Sequence, residues 1–503
     1  MKKFFNSNDL QRLDTWVDSH VITKFLTSRV ALAFFYGIYL FLYEIKFFRE
    51  SPATVMHILL IGWASFLICY DLVVRKVWRR MPFLLTIVLF LAAVAITLIS
   101  TIEAGIVGNI KAFVMIALPL FAFYPLCLES DKRIKQKSLL IALSGASVII
   151  FVASVIALCM YFVRYSNTVT LFGVEGLLGI EYYEPGDPTS ALILNGIYED
   201  TNHTAIYCAV FCAYSVVLFA ACHNGIFSHK WLNILGKVYA VANICVQLCY
   251  FPFANSRGAW ICLLIAIFIA AFLYCYCNRI TVKAVLLRGL LALLCAGMCT
   301  AAVWGGLMGI RSGVSALSFV YYDNFVGEVE DTDVENGEQS ENKNEQVHID
   351  SFTKPSTGGG SGRIDIWKDT LKLFVKSPII GIGSANNEYY AKKYDIAMGT
   401  LGSGKAVHNS YLDMLLNYGV FGTAILMIFW ALCLVRVIKV ALGGKRRNGI
   451  DFYLAMFSVL IISGAAVLLS CVFIGTTAMY FLMLIMTGYV VSGYAKPKLA
   501  ETC

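Results

Sequence analysis

The sequence predicts an all-α integral membrane protein with about twelve transmembrane helices and one large extracytoplasmic loop. Of its 503 residues, 59% are apolar and only 14% are charged, whereas soluble domains carry about 25% charged residues. The apolar residues fall in blocks of about 18 to 25, which is the length that crosses the hydrocarbon core as a helix. Backbone polar groups in lipid must bond within their own segment, so helices are expected in place of open strands.

The predicted elements follow one another along the chain in a simple order. Residues 1–27 are expected to form a cytoplasmic tail without a cleavable signal sequence. Nine transmembrane helices are expected within 28–308, three more within 411–494, and a short cytoplasmic tail at 495–503. The apolar spans are predicted at 28–44, 54–73, 82–101, 110–128, 138–162, 203–222, 232–253, 259–277, 285–308, 411–438, 452–471 and 474–494.

The distribution of basic residues predicts which hairpins face the cytoplasm. Lysine and arginine gather in every second hairpin, for example at 75–80, 132–137, 279–288 and 436–447. Because cytoplasmic loops are enriched in these residues, both termini are expected in the cytoplasm. The net charge of +8 is spread over these hairpins and not gathered on one soluble face, so nucleic acid is not an expected partner.

The 16 cysteines predict neither a disulfide scaffold nor a metal centre. Nearly all lie inside apolar spans, where cysteine packs as a small apolar residue. The pairs Cys208/Cys212 and Cys245/Cys249 each share a helical face, yet no outlying His or Cys completes a ligand set. No metal site and no cofactor are therefore predicted.

Two outward segments stand out by their length and composition. Residues 163–202 are rich in Gly, Tyr and acidic side chains, and residues 309–410 form a loop far longer than ordinary connections. Within the longer loop, residues 327–350 are acidic and almost free of apolar side chains. Such a segment cannot bury enough surface to offset its chain entropy, so a disordered, solvated insertion is predicted there.

The second half of the longer loop is predicted to contain an amphipathic helix at 363–376, lying at the membrane–water interface. Pro378 is expected to end this helix, and Ser410 with Asp413 is expected to cap the tenth span. Helical spacing separates an apolar set of side chains from a polar set. The apolar set is Ile364, Trp367, Leu371, Phe374 and Val375, and the polar set is Lys368, Asp369, Lys372 and Lys376.

Arg257, Arg363 and His408 are the main candidate site residues, because charged groups at the outer ends of membrane helices are functional candidates. Guanidinium groups bind phosphate oxygens in pairs and stay charged, so the two arginines, with Arg311 as a further outer one, predict a diphosphate site. The neighbouring glycines that let backbone amides approach the anion are Gly258, Gly360 and Gly362. The alternative is that these arginines cap helix ends or reach toward lipid headgroups.

His408 is open to two interpretations. A histidine can accept a proton near neutral pH, or it can donate a hydrogen bond to a phosphate. The alternative is a structural hydrogen bond at the start of a helix.

Several short motifs occur together and in order in the second half of the chain. They are Arg363-x-x-x-Trp367, Pro378-x-x-Gly381-x-Gly383, His408-Asn409-Ser410-Tyr411-Leu412 and Tyr418-Gly419-x-x-Gly422. Together they resemble the signature region of the O-antigen ligase and polymerase superfamily. Asn255-Ser256-Arg257-Gly258 and Gly196-x-Tyr198 with Asn202-His203 are similar to further motifs of that family. The resemblance covers roughly residues 190–440, and the acidic insertion departs from the family pattern.

The resemblance implies a GT-C-type membrane glycosyltransferase without a metal requirement. Such an enzyme moves a glycan from undecaprenyl diphosphate to a glycan, lipid or protein acceptor at the outer face of the membrane. Arg257, Arg363 and Arg311 would bind the diphosphate, and His408 would act with the first two in catalysis. Weaker candidates for substrate binding are Asn202, Trp367, Asn409 and Tyr411, alternative bases are Glu181, Glu184, Glu199, Asp200 and Asp395, and possible sugar-stacking rings are Tyr182, Tyr183, Tyr389 and Tyr390.

Three alternatives remain open at this point. Within the family, a polymerase would extend a second lipid-linked glycan, whereas a ligase would pass the finished glycan to a different acceptor. A polysaccharide flippase is the alternative from another class, but transporters usually show internal repeats and polar residues at the membrane midplane. No such repeat is visible, and the polar residues collect at the predicted outer face. A purely structural membrane protein would not need these arginines and this histidine on one side.

Overall fold

The computed structural model describes residues 7–48, 53–124, 126, 131–171, 174–182, 191–282, 284–322, 363–396, 407–443, 449–467, 469, 472–475 and 477–492. The chain forms two compact units. Unit 1 comprises Met1–Gly37, His57–Leu143 and Ser356–Cys503, and unit 2 comprises Ile38–Met56 and Ser144–Pro355. The predictions made for 327–350, Gly360, Gly362, Glu184, Tyr183 and 495–503 fall outside the described residues.

Helices make up most of the described chain. The first seven are α1 (Ser7–Ser19), α2 (Val21–Leu26), α3 (Arg29–Tyr43), α4 (Ala53–Val73), α5 (Leu84–Ser100), α6 (Ile106–Ala122) and α7 (Lys132–Phe162). Three strands follow, which are β1 (Ser166–Leu171), β2 (Val174–Tyr182) and β3 (Ala191–Gly196). The remaining helices are α8 (Thr201–His223), α9 (Lys230–Tyr250), α10 (Arg257–Tyr274), α11 (Val285–Tyr321), α12 (Arg363–Phe374), α13 (Asn387–Lys393), α14 (Ser410–Gly443), α15 (Ile450–Ala465) and α16 (Ala478–Ser492).

The helical membrane class is confirmed. Each predicted span overlaps an apolar helix. Among the described residues, 7 helices are long and apolar enough to cross a membrane, namely α4, α7, α8, α9, α10, α11 and α14. The apolar helices α3, α5, α6, α15 and α16 are shorter, at 10–17 residues. The chain is therefore a multi-pass helical protein, while the number twelve stays a prediction.

Two boundaries differ from the sequence prediction. The predicted N-terminal tail contains the short helices α1 and α2. The ninth span, predicted to end at residue 308, continues as helix α11 to Tyr321. Hydropathy falls after residue 308, but a helix needs only a satisfied backbone and one packed face, and Leu307, Arg311, Ser315 and Ser318 supply that buried face. Arg311 therefore lies within a helix and not in a loop.

The segment 163–202, predicted only as a loop, contains an antiparallel sheet in the order β1-β2-β3. The fold is thus helical with one small sheet, and the all-α prediction needs this correction. Strand β1 has no buried residue, whereas β2 buries Gly179 and Ile180. In unit 2 the sheet is held by the Tyr250 hydroxyl, which donates to the Leu194 carbonyl at 2.8 Å. Just after β3, the backbone also pairs with the segment that follows α3, where Lys46 N donates to the Ile197 carbonyl at 2.9 Å.

Unit 2 contains a chain of buried polar side chains between α7, α8 and α9. Asn243 Nδ2 donates to Ser215 Oγ at 2.8 Å, and Gln247 Nε2 donates to Asn243 Oδ1 at 3.0 Å. Ser154 Oγ then donates to Gln247 Oε1 at 3.1 Å and lies 2.8 Å from the Tyr198 hydroxyl. Polar groups inside an apolar bundle cost free energy unless they are paired. This chain of partners therefore fixes the register of the three helices.

Unit 1 contains a close approach of two backbone segments. Helix α14 breaks at Gly419, which has φ 62° and ψ −175°. Beside the break, Val420 N donates to Pro378 O at 2.8 Å, and Gly383 N donates to Asn417 O at 2.9 Å. A Cβ atom at Gly419 would fall on the Ile379 carbonyl, and one at Gly381 would fall on the Asn417 carbonyl group. The glycines of two separate sequence motifs are therefore needed at a single contact.

Substitution of Gly419 by alanine is expected to destabilise the protein markedly. The backbone there lies in a region accessible to glycine alone, and the added methyl would overlap Ile379. We expect a loss of at least about 2 kcal/mol, seen as a lower midpoint of thermal unfolding for the detergent-solubilised protein. Gly305→Ala is the control, because open space surrounds that helical position. Equal midpoints for the two variants would contradict the proposed contact.

Candidate functional site

Helix α12 carries Arg363 at its first position. One turn later, Trp367 Nε1 donates to the Val407 carbonyl at 3.1 Å. Val407 is buried in the apolar core of unit 1 together with Leu373 from the same helix. The structure therefore attaches the Arg363 helix to the residue that directly precedes His408, so these two predicted site residues belong to one packed element.

His408 lies in a constrained turn. Its φ is 52°, in the left-handed region, which is uncommon for residues other than glycine. The imidazole is half-buried, between buried Val407 and the cap of α14. Asn409 forms that cap, because its Oδ1 accepts from Tyr411 N at 3.0 Å and from Leu412 N at 3.1 Å. The turn fixes the position of the His408 backbone, from which the imidazole extends. Constrained backbone of this kind is common at functional sites.

The predicted capping role of Ser410 was wrong. Its Oγ donates to the Leu469 carbonyl at 2.6 Å and accepts from Val472 N at 3.1 Å, and the residue is buried. Asn409 takes the cap because its side chain stands one residue earlier, where amide groups of the first turn can reach it. Ser410 instead ties the start of α14 to the segment after α15. Asn409 and Ser410 of the signature motif thus have structural partners.

The predicted faces of α12 are also partly wrong. Ile366, Asp369, Thr370 and Leu373 are buried. By contrast, Ile364, Leu371 and Val375 form an exposed apolar stripe along the helix. Helix α12 packs against the core of unit 1 through Leu373, so the face that carries Leu373 is the buried one. Asp369, placed on the polar side by spacing, is buried and pairs with Lys372 at 2.9 Å.

Helix α13 presents an aromatic and charged surface in unit 1. Lys393 Nζ donates to Glu103 Oε1 at 2.7 Å, and the Tyr390 hydroxyl donates to the same oxygen at 3.0 Å. These two hydrogen bonds lower the pKa of Glu103, while burial raises the pKa of the Tyr390 hydroxyl. Tyr389 and Tyr394 keep exposed rings beside this pair. The surface combines ring faces with hydrogen-bonding groups.

In unit 2, Arg257 occupies the first position of α10 and is exposed. Ser256 caps this helix, since its Oγ accepts from Ala259 N at 3.3 Å. The same hydroxyl donates to Asn202 Oδ1 at 2.9 Å. Asn202 stands in the first turn of α8, where its backbone N donates to Asp200 Oδ1 at 2.7 Å. Two predicted site residues, Asn202 and Arg257, are thus joined through one serine.

Arg311 is buried on α11. One turn away, Ser315 Oγ lies 3.1 Å from the Tyr161 hydroxyl. Helices α10 and α11 contact each other through the rings of Trp260 and Trp304, whose centroids are 5.1 Å apart. Arg257 precedes Trp260 and Arg311 follows Trp304, so in this antiparallel pair the two arginines lie toward the same end.

The remaining alternatives are placed as follows. Glu181 accepts from Asn195 Nδ2 at 2.9 Å, and Asp200 acts as the cap of α8. Glu199 N donates to the Glu44 carbonyl at 2.9 Å, while Asp395 is exposed with φ 51°. Burial raises the pKa of Tyr182 to about 12. Glu199 and Asp200 therefore lie in the turn that leads from β3 into α8, whereas Glu181 lies on β2.

Sequence reasoning missed a pair formed by Glu44 and His203 in unit 2. His203 Nδ1 lies 3.5 Å from Glu44 Oε2, and the Tyr207 hydroxyl donates to Glu44 Oε1 at 2.7 Å. The signal for it was an acidic residue at the end of the first span, which hydropathy treats as a boundary. Among the described residues, no cluster of three or more His, Cys, Asp or Glu side chains is arranged to hold a metal ion.

The predicted site residues divide between the two units. Arg363, Trp367, His408, Asn409 and Tyr411 belong to unit 1. Asn202, Arg257 and Arg311 belong to unit 2.

Removal of the Asn409 cap is expected to loosen the turn that carries His408. Asn409→Ala leaves two amide groups of α14 without their acceptor, at a cost of about 1 kcal/mol. Asn409→Asp keeps the acceptor and serves as the control. Thermal unfolding should show a lower midpoint for the alanine variant, and an unchanged midpoint would refute the capping role.

The comparison with known proteins bears on the region that contains these residues. A search of curated proteins gives no match. Residues 242–427 match a family model described as O-antigen ligase. The matched region includes Arg257, Arg311, Arg363 and His408. This match supports a relationship to the O-antigen ligase superfamily for residues 242–427.

Proposed function

We propose that this O-antigen ligase-like membrane enzyme transfers a glycan from undecaprenyl diphosphate to an acceptor at the outer face of a bacterial cytoplasmic membrane. The family match supports a membrane enzyme of the ligase or polymerase type. The lipid donor, the acceptor, the GT-C classification, the membrane and the orientation are parts of the proposal. The positive-inside distribution of Lys and Arg supports the orientation.

The observation that carries the proposal is the attachment of the Arg363 helix to the His408 segment. Trp367 Nε1 donates to Val407 O at 3.1 Å, and Val407 immediately precedes His408. A guanidinium and an imidazole are thus positioned by one packed core, in a region that the family model includes. A fixed cation and a fixed proton-transfer group are what glycosyl transfer from a diphosphate requires.

The reaction follows from ordinary displacement chemistry. The acceptor hydroxyl attacks the anomeric carbon, a new C–O bond forms, and the bond from that carbon to the diphosphate oxygen breaks. The electron pair of the broken bond leaves with the diphosphate, and the hydroxyl proton passes to a base. Arg363 in unit 1 and Arg257 in unit 2 are each proposed to stabilise the departing charge. With arginine charge in this role, the reaction is proposed to need no metal ion.

His408 has two proposed roles, which are acceptance of the hydroxyl proton or donation to a diphosphate oxygen. Arg311 is proposed as a further diphosphate ligand. The rings of Trp367, Tyr389 and Tyr390 are proposed to contact sugars, and interfacial anchoring is the alternative for such rings. The exposed stripe of α12, with Ile364 and Val375, supports a position at the membrane–water interface.

A ligase and a polymerase differ only in the acceptor. We favour a ligase, which passes the finished glycan to a lipid, a protein or another polymer, over a polymerase that extends a second lipid-linked glycan. A flippase would need polar groups near the membrane midplane that exchange partners.

The arginine proposal is tested by transfer in vitro with EDTA present. Purified protein is given an undecaprenyl-diphosphate-linked oligosaccharide and candidate acceptors. Arg363→Ala and Arg257→Ala should each lower the transfer rate about 100-fold or more, because each removes charge from the transition state. The matched controls are Lys368→Ala on the same helix as Arg363 and Arg279→Ala beyond the far end of the Arg257 helix, and both should keep wild-type rates.

Full activity in both arginine variants would remove the arginines from the mechanism. Activity of the wild type that disappears in EDTA would show a metal requirement. No transfer to any acceptor, with movement of the lipid-linked glycan across liposomes, would replace the transferase with a flippase.

The role of His408 is decided by separating binding from turnover. The variant His408→Gln keeps a polar group at this position but cannot take up a proton. If His408 is the base, the variant should lower kcat strongly and leave donor affinity unchanged. If His408 is a phosphate ligand, the same variant should weaken donor binding instead. A variant with wild-type kcat and donor affinity would leave His408 with a structural role only.

A further inference from the structure

Glu44, His203 and Tyr207 form a polar cluster at the start of α8, in unit 2. The Glu44 carboxylate accepts from the Tyr207 hydroxyl at 2.7 Å and lies 3.5 Å from His203 Nδ1. The backbone of Glu44 is fixed as well, because its carbonyl accepts from Glu199 N at 2.9 Å. Both side chains of the acid–histidine pair are largely buried, with 14% of Glu44 and 21% of His203 exposed.

The cluster fixes the direction of the imidazole. With Nδ1 beside the carboxylate, Nε2 is the ring nitrogen that bonds to none of the described residues. Tyr207 occupies the other carboxylate oxygen, so Glu44 cannot rotate without losing a partner. The His203 imidazole is therefore held by Glu44 in the N-terminal turn of α8, and the next residue toward the N-terminus is Asn202.

Asn202 is oriented in the same way. Its Oδ1 accepts from Ser256 Oγ at 2.9 Å, which turns its amide nitrogen away from the serine. That Nδ2 donates to none of the described residues, and the side chain is half-buried. The amide of Asn202 and the imidazole of His203 thus each keep one nitrogen that bonds to none of the described residues. Asn202 lies next to the serine that caps the Arg257 helix.

We propose that Asn202 and His203, held by Ser256 and Glu44, form a subsite for the hydroxyl groups of a sugar ring. Sugar hydroxyls both donate and accept hydrogen bonds, and the pair offers a donor amide and a ring nitrogen that serves either purpose. The Glu44–His203 pair carries no net positive charge whether the imidazole is neutral or protonated, so the pair does not select an anion. This subsite rests on the proposed function, because it places a sugar beside Arg257, the proposed diphosphate ligand.

The subsite is tested by comparing two lipids. Binding of undecaprenyl diphosphate that bears an oligosaccharide is measured against binding of undecaprenyl diphosphate alone. His203→Ala and Asn202→Ala should weaken binding of the glycan-bearing lipid about tenfold, the effect of one lost hydrogen bond in a buried site. Binding of the bare lipid should stay at the wild-type value. His203→Gln should recover part of the loss, because it restores a hydrogen-bonding group.

A second arm tells donor sugar from acceptor sugar. If the subsite serves the acceptor, the same variants keep donor affinity and raise the KM for the acceptor glycan about tenfold. Tyr207→Phe, which removes one partner of Glu44, should produce a weaker effect of the same kind. Ser215→Ala is the control for loss of a buried hydroxyl on α8, since Ser215 bonds only within the bundle, at Asn243.

Two results would overturn the subsite. Unchanged donor affinity and unchanged acceptor KM in both alanine variants would show that no sugar contacts them. A fall in kcat alone, with loss of one limb of the pH profile, would make the Glu44–His203 pair a proton acceptor instead. The proposed function fails separately, when wild-type protein binds neither lipid and transfers no glycan.

Discussion

The contact between the backbone at Gly381 and the break of α14 at Gly419 is the constraint on which unit 1 depends. Four backbone hydrogen bonds join these segments, two of them from Val420 and Gly383, and no side chain fits between them. The contact sets where α14 starts, and hence where its cap at Asn409 and the turn at His408 stand. The segment of this contact follows α12, and Trp367 of α12 bonds to Val407 beside His408.

Much of the fold was predictable because membrane helices can be identified in the sequence by the length of their apolar runs. Every predicted span overlaps an apolar helix, since hydrocarbon leaves the backbone few alternatives. The strands β1 to β3 and the extension of α11 were missed for a related reason. Outside the hydrocarbon core, hydropathy no longer dictates structure, and packing of particular residues such as Ser315 or Leu194 decides it.

The site was predictable as a set of residue types and much less as a set of contacts. Arg363, His408 and Arg257 stand out because charge is rare at the outer ends of apolar spans. Their partners do not stand out. Asn409 and Ser410 are adjacent polar residues that spacing alone cannot tell apart, and only the structure shows which one caps α14. The Glu44–His203 pair joins residues that are distant in sequence, so no local sequence pattern predicts this contact.

The buried chain of Asn243, Gln247 and Ser154 has a mechanical consequence for unit 2. If α9 slid past α7 or α8 by one turn, amide groups would be stranded in an apolar interior, at a cost of about 1 to 3 kcal/mol for each. The three helices are thus locked against sliding and behave as a stiff frame. Such a frame suits an enzyme that holds a site still between turnovers.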